Sequence, residues 1–398
     1  MSPPANLLAE YARHTLDDSD RAAVAEALLD ERLTTGPRVG AFEAAFATRV
    51  GAAHAVACNS GTAALEMIYA ALEVPGRPVV VPAITFLATA SAALRLGGRL
   101  AVADVDPARG HLTPDTLAAT LAALPQPAAA VTVVHLGGPP ADLPALAEVA
   151  RRHGTVLVED ACHALGSVET PDGAPVGACT FSRAAAFSFH PAKTITTGEG
   201  GMVTSPDPAL AEAARRHRNH GMVRAPAPLR ADSLATAPWY YEMHSLAGNF
   251  RLTDFQAALG LSQLTKLDTF VEKRRRLRDH YLQRLAPLSP RVKPLEPLFE
   301  GTIGWHLMGV RVEDFAAGPE ARAATMTALK ARGIGSQVHY IPLYRQPHLA
   351  DTLGPAADPA RFPGAEAYYA RCLSLPLFPD LEEADVDTVC AALEAALG

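Results

Sequence analysis

Between about residues 40 and 205 the sequence alternates short apolar runs with helix-period segments, and this alternation restricts the fold more than any other feature. His54–Cys58, Pro78–Val81, Leu100–Val105, Ala130–Val134 and Thr155–Val158 read as strands. Thr62–Leu72, Phe86–Leu96, Pro114–Leu124 and Leu143–Arg152 lie between them as helices. Continuous apolar runs separated by helices belong to strands buried on both faces, which is the pattern of a parallel sheet. Ala184–Phe189 and Met202–Thr204 continue the series. The expected architecture is an α/β domain with a mostly parallel sheet and helices on both sides.

The pattern changes after residue 222. Val223–Pro238 is rich in Ala and Pro and reads as a surface loop. Thr253 and Gln256 have capping-box spacing and open one long helix, with Phe255, Leu259, Leu264, Leu267 and Val271 at steps of three to five residues. Beyond Pro287, Trp305–Val312 and Ser336–Ile341 read as strands, and Pro319–Ala331 and Glu383–Leu397 as helices. The 398 residues thus divide into a large domain over 1–250 and a smaller α+β domain over 251–398, with the N-terminal segment free to pack on the latter.

Composition excludes several classes of function. The chain is 49% hydrophobic and 19% charged, ordinary for a globular protein with a sizeable core. A net charge of −7, with no basic tract longer than Arg274–Arg276, argues against a nucleic-acid partner. No apolar run is long enough to span a bilayer. Met1-Ser2-Pro3-Pro4 lacks the layout of a secretory signal. Five scattered cysteines, with no metal-ligand spacing, fit reduced thiols in the cytoplasm.

Three short stretches carry chemistry. Asn59-Ser60-Gly61-Thr62 lies where a strand gives way to a helix, whose free N–H groups and positive dipole end suit a phosphate. Asp160 stands at the carboxyl end of a strand, the edge where open α/β sheets bind ligands, with His163 three residues on. Lys193 follows another strand in a loop bounded by Pro191 and glycines. Taken singly, these are also what a helix cap, a surface histidine and a solvated lysine look like. Their order narrows the choice: phosphate loop, strand-end carboxylate, then a lysine 33 residues later.

Together with Glu159-Asp-Ala-Cys-His163, Ser188-Phe-His-Pro-Ala-Lys193, Glu199-Gly-Gly201 and Asn249-Phe-Arg-Leu-Thr-Asp254, this order resembles the DegT/StrS family of nucleotide-sugar aminotransferases. The resemblance runs from about Leu33 to Leu285 and more weakly to the C-terminus. Ser188–Gly201, Trp239–Met243, Ala258–Leu264 and Gly333–Pro342 look most like the transaminases of the pseudaminic-acid pathway. It implies the fold-type-I pyridoxal-phosphate transferase fold, and a homodimer with shared active sites. Carried over, Lys193 would hold pyridoxal 5'-phosphate as a Schiff base, Asp160 would pair with the ring nitrogen, and His163 would sit near the ring hydroxyl. Phe86 would stack on the ring. Gly61, Thr62 and Ser188 would bind the phosphate, with Ser60 also in the cofactor-binding set. Asn249 would reach the phosphate in the neighbouring subunit. His339 and Tyr340 would lie near the nucleotide-sugar cleft.

The implied reaction is a ping-pong transfer of an amine from L-glutamate to a 4-keto-6-deoxy nucleotide sugar, with a UDP-linked 4-keto-pentose as the alternative acceptor. A dehydratase on the same scaffold would carry histidine in place of Lys193. A non-catalytic cofactor-binding regulator lacks support from charge or from a helix-turn-helix pattern. A metal hydrolase built on Asp160, Cys162, His163 and His190 has no defensible zinc spacing. Three departures from the family pattern stand out: Leu8–His14 in place of its usual opening, the loop 223–238, and Ala192 and Thr194 beside the lysine.

Overall fold

The computed structural model describes residues 7–171, 173–224, 229–230 and 237–398. A seven-stranded sheet lies at its centre: β1 (His54–Cys58), β2 (Pro78–Pro82), β3 (Arg99–Ala103), β4 (Ala130–Val134), β5 (Leu157–Asp160), β6 (Ala184–Ser188) and β7 (Gly201–Ser205). Their order across the sheet is β1-β7-β6-β5-β4-β2-β3. Pairs from β3 through β6 are parallel, while β7 is antiparallel to both its neighbours, so it alone runs backwards. A short hairpin, β8 (Met222–Val223) with β9 (Glu242–Met243), flanks the loop expected over 223–238, of which 225–228 and 231–236 lie outside the described residues. A second sheet joins β10 (Val292–Pro294), β11 (Met308–Val312) and β12 (Cys372–Leu375) in antiparallel order.

Thirteen α-helices are described. In chain order they are α1 (Asp18–Ala27), α2 (Pro37–Val50), α3 (Gly61–Ala71), α4 (Leu87–Arg95), α5 (Pro114–Ala122), α6 (Leu143–Arg152), α7 (Pro208–Arg218), α8 (Asp254–Leu264), α9 (Leu267–Leu285), α10 (Pro319–Ala331), α11 (Pro347–Leu353), α12 (Pro363–Arg371) and α13 (Glu383–Leu397). None is long and apolar enough to cross a membrane. The apolar strands are covered on both faces because successive side chains alternate sides. Val79 and Val81 of β2 pack with α3 and α4, while Val80 packs with Leu117 of α5 and Leu146 of α6. A third cluster sets Phe42 and Phe46 of α2 against Phe187, Phe189 and Ala257. Gly260 of α8 is required there, because a Cβ would come within 2.7 Å of the Phe42 ring. The second sheet has its own core with α9, α10 and α13, on which Leu7 and Leu8 also pack.

Several expectations are corrected. The long helix after Thr253 is two helices, broken at Thr265–Lys266. Thr265 turns its hydroxyl back onto the Ser262 carbonyl at 2.7 Å, and Lys266 reaches Asp17 and Asp20 of the N-terminal segment at 2.6 and 2.7 Å. Phe255 and Leu259 are only half-buried; α8 buries Asp254, Ala257, Ala258 and Gln263 instead. The strand expected from Trp305 begins at Met308, because the His306 and Leu307 amides both donate to the Gly137 carbonyl. Ser336–Ile341 forms no strand: it makes one isolated bridge, Gln337 to Ser374, and then turns away. β5 starts two residues later than expected, which puts Asp160 inside the strand as its last residue.

The junction of α1, α8 and the lysine loop rests on one buried amide. Gln263 Nε2 donates to the Thr15 carbonyl (3.0 Å) and to Asp20 Oδ2 (2.9 Å), and its Oε1 accepts the Thr196 N–H (3.4 Å). Gln263→Ala leaves these partners unsatisfied in the interior, at a cost of about 1–3 kcal/mol. Urea unfolding should show a lower midpoint at unchanged slope. Gln263→Glu should not restore it, because it sets a carboxylate beside Asp20.

Candidate active site

A cleft of about 520 Å³ opens at the carboxyl edge of the large sheet. Its residues arrive there because parallel strands point their carboxyl ends the same way. β1 delivers Ser60, β2 delivers Phe86, β5 delivers Asp160 and His163, and β6 delivers Ser188 and Lys193. The reversed β7 brings Glu199 to the same edge through the turn before its first residue. Of the candidate residues read from sequence, Ser60, Gly61, Thr62, Phe86, Asp160, His163, Ser188, Lys193, His339 and Tyr340 all line this cleft. Asn249 does not: it is exposed, bridges to Asn219, and accepts the Asn59 side-chain amide on its carbonyl at 3.4 Å.

Ser60 caps α3, its Oγ accepting the Ala63 N–H at 3.1 Å. The Gly61 and Thr62 amides have no intrahelical partner and face the cleft end of the helix. Gly61 is required by packing, since a Cβ would lie 2.9 Å from Ser188 Cβ and 3.1 Å from Cys162 Sγ. Open amides, the positive dipole end and the Ser188 hydroxyl converge on this corner, which makes it an anion cradle.

Asp160 is buried, and its two oxygens are held apart in role. Oδ2 accepts the Thr89 hydroxyl at 2.8 Å, and Oδ1 accepts the Cys162 N–H at 3.3 Å. Thr89 is fixed in turn by the Thr85 hydroxyl at 2.7 Å. The Cys162 thiol is pushed far above its ordinary range, by burial first and then by Asp160, so it stays protonated. Lys193 sits in a tight turn closed by its own N–H on the His190 carbonyl at 2.8 Å. No carboxylate lies within 4 Å of its ammonium among the described residues. Burial lowers its pKa, with Cys162 and Asp160 opposing from a distance. A lysine of this kind has access to its neutral, nucleophilic form.

His163 is locked in one tautomer. The Gly137 N–H points at Nδ1 at 3.2 Å, so that nitrogen carries the lone pair. Burial, then Lys193 and His339, hold the ring's pKa well below the usual value, so the ring is neutral and its proton is on Nε2. Nε2 lies 3.1 Å from the Tyr340 hydroxyl, which therefore accepts and keeps its own proton free for another partner. Phe86 presents an exposed ring at the N-terminus of α4, with Tyr340 tilted against it at 5.9 Å. His339 is buried on Ser374 Oγ at 2.8 Å, between the Tyr11 and Tyr340 rings. The arrangement suits a flat aromatic ligand that carries a phosphate at one end and a basic ring atom opposite a carboxylate.

Sequence reasoning missed four contributors. Tyr11 lines the cleft from the N-terminal segment, and nothing local marks it out. His306 packs on His163 at 4.4 Å. Thr85 and Thr89 stand four apart across the start of α4, a spacing that could have been noticed beside Phe86.

Comparison with known proteins fits this geometry. The model of the DegT/DnrJ/EryC1/StrS aminotransferase family matches residues 14–394. The chain is 36% identical to the spore coat polysaccharide biosynthesis protein SpsC of Bacillus subtilis (strain 168), over 96% of this chain and 95% of that protein. Helicobacter pylori PseC, an aminotransferase involved in the biosynthesis of pseudoaminic acid, superposes with a TM-score of 0.86 at 30% identity, over 98% of each chain. The putative sugar aminotransferase Spr1654 of Streptococcus pneumoniae, in its PLP form, gives 0.85 at 28%, over 99% and 100%.

Three buried imidazoles around the cleft set an acid limit on stability. Burial is the leading cause that holds His163 and His306 well below 6.5, and it takes His339 to about 3. Below about pH 6.5 each unfolded histidine binds a proton that the folded one does not, so stability is full above that pH and falls as pH drops. The slope is about 1.4 kcal/mol per pH unit for each ring. The melting temperature should fall from pH 7 to 5, and His339→Gln should flatten that fall. An unchanged slope in His339→Gln means that His339 is not held neutral.

Proposed function

Because the chain belongs to the DegT/DnrJ/EryC1/StrS aminotransferase family, we propose that it moves the amino group of L-glutamate to the keto carbon of a UDP-linked 4-keto-6-deoxy sugar, for a surface polysaccharide. It is an aminotransferase, and its cofactor is pyridoxal 5'-phosphate. The observation that carries the reading is Lys193, without an ion-pair partner among the described residues and with its pKa lowered by burial, in one cleft with the open first turn of α3 and buried Asp160. The sugar acceptor is supported by the relatives, one named for polysaccharide synthesis and one for a sugar-acid pathway.

When bound, the cofactor supplies an electrophilic carbon for an amine and a ring that accepts electron density from the substrate's α-carbon. The Gly61 and Thr62 amides and the Ser188 hydroxyl would hold the phosphate. Asp160, positioned by Thr89 and Cys162, would keep a proton on the ring nitrogen. Lys193 Nζ would be the nucleophile that holds the cofactor between turnovers. Once freed, it would take the proton from the donor's α-carbon as a base and give it up again as an acid. Neutral His163 donates from Nε2 to Tyr340, which directs the tyrosine proton into the cleft. His339 and Tyr11 shape the wall where the sugar sits.

Lys193→Ala should lower amine transfer from L-glutamate to the keto sugar by at least about 10²–10⁴-fold. Amino-sugar formation by wild type, read by mass spectrometry, tests the assignment. No transfer to any 4-keto sugar nucleotide, with glutamate still consumed in the first half-reaction, would remove the sugar assignment and leave the aminotransferase.

The shared-site dimer is part of the proposal. Asn249 lies outside its own cleft, amid exposed Trp239, Tyr241, Met243 and Leu246, a patch suited to a second subunit. Lys193→Ala and Asn249→Ala proteins should each be weak alone. Mixed and re-associated, they should recover activity, because one of the two sites then has both residues intact. No recovery means that Asn249 serves its own chain or no site at all.

A further inference from the structure

A second cleft, of about 540 Å³, shares no lining residue with the catalytic one. It lies where the turn after β3 meets the second sheet and the end of α9. Arg109, Lys293 and Arg311 line it, and Glu296 is the single carboxylate among its lining residues.

Three observations converge there. Lys293 and Arg311 are directly opposite in the antiparallel β10–β11 register, so two like charges leave the same face of the sheet. Such a pair is destabilising unless something neutralises it. No carboxylate comes within ion-pair distance of Arg109, Lys293 or Arg311 among the described residues. Nearby arginines are treated differently: Arg291 pairs with Asp314, and Arg371 with Glu313. Finally, the Nε atoms of both Arg109 and Arg311 are buried without a hydrogen-bond partner.

The carbonyl end of α9 faces the cleft through Leu282, Leu285 and Ala286, and its dipole favours cations there. That accounts for part of the charge. Three cations against Glu296 and roughly half a charge of helix dipole still leave between one and two positive charges over.

We propose that this cleft binds a soluble anion with two adjacent phosphoryl groups. Planar guanidinium groups and a mobile ammonium recognise phosphoryl oxygens from several directions. The cleft's volume exceeds what one tetrahedral anion fills. Arg109 comes from the turn that follows β3 of the large sheet, and Lys293 and Arg311 from the small sheet, so the bound anion bridges the two. The small sheet also carries, through the Gln337–Ser374 bridge, the segment that places Tyr340 over the catalytic cleft.

Calorimetry on the cofactor-loaded protein at constant ionic strength tests the assignment, with inorganic pyrophosphate as the probe. One saturable site per chain is expected, with affinity reduced at least about tenfold in Lys293→Gln and in Arg311→Gln. The melting temperature of Lys293→Gln without anion should equal or exceed that of wild type, since a repulsion is removed. Lys293→Glu, with the visible spectrum of the bound cofactor unchanged, should abolish binding. UDP distinguishes a nucleotide source from free diphosphate: binding tighter than pyrophosphate and equally sensitive to the substitutions identifies a nucleotide. No saturable binding of either probe overturns the proposal. So does binding undiminished in all the variants, because the anion then sits elsewhere.

Discussion

A strand covered on both faces can be approached only at its ends, and this restriction organises the whole protein. Because β1 to β6 all run the same way, with β7 alone reversed, their carboxyl ends form one open edge. Residues from distant parts of the chain therefore need no special loops to meet. Ser60, Phe86, Asp160 and Lys193 each stand within a few residues of a strand end. The helix that follows β1 adds its open first turn at the same edge. The sheet thus supplies both rigidity and convergence, and the loops carry the reactive groups.

The electrostatics of the cleft follow from exclusion of water more than from charge pairing. Among the described residues Lys193 has no carboxylate partner in reach, and three imidazoles nearby are kept uncharged by burial. Neutral groups hydrogen-bond directionally, so one backbone amide can decide where a distant proton lies. The Gly137 N–H fixes His163, and His163 fixes Tyr340. Gly137 is itself held, because its carbonyl accepts from His306 and Leu307. A chain of modest bonds therefore links the segment before β11 to a hydroxyl in the active cleft.

Much of this could be read from sequence, for identifiable reasons. Leu143–Arg152, Pro319–Ala331 and Glu383–Leu397 stand at the bounds expected, since proline or an acidic first turn marks where each begins. The cofactor corner was legible because each of its stretches, Ser60–Thr62, Asp160–His163 and Ser188–Lys193, is short and stands at a strand end. What escaped was set by distant partners. The break at Lys266 falls between apolar residues that continue on both sides, Leu264 and Leu267, and its ion pairs reach residues about 250 positions away. β12 is only four residues, Cys-Leu-Ser-Leu, directly after α12, with no turn to announce it. Ser336–Ile341 has the composition of a strand but finds only one pairing partner, Ser374. Tyr11 and His306 enter the site through contacts that no local spacing encodes.

The N-terminal segment bears on how the molecule comes into being. The Tyr11 carbonyl accepts the Leu377 N–H at 3.0 Å, Thr15 donates to Asp380 at 2.8 Å, and the Leu8 carbonyl accepts from Gly335 at 2.7 Å. Thr15 and Asp380 are 365 positions apart, so this segment waits for partners that are made long after it. The large sheet can assemble while translation continues, since its strands end at Ser205. The cleft wall that contains Tyr11 and Tyr340 closes only once the chain as far as Asp380 has left the ribosome. A nascent or truncated chain therefore has the corner for a phosphate without the enclosure that makes it an enzyme.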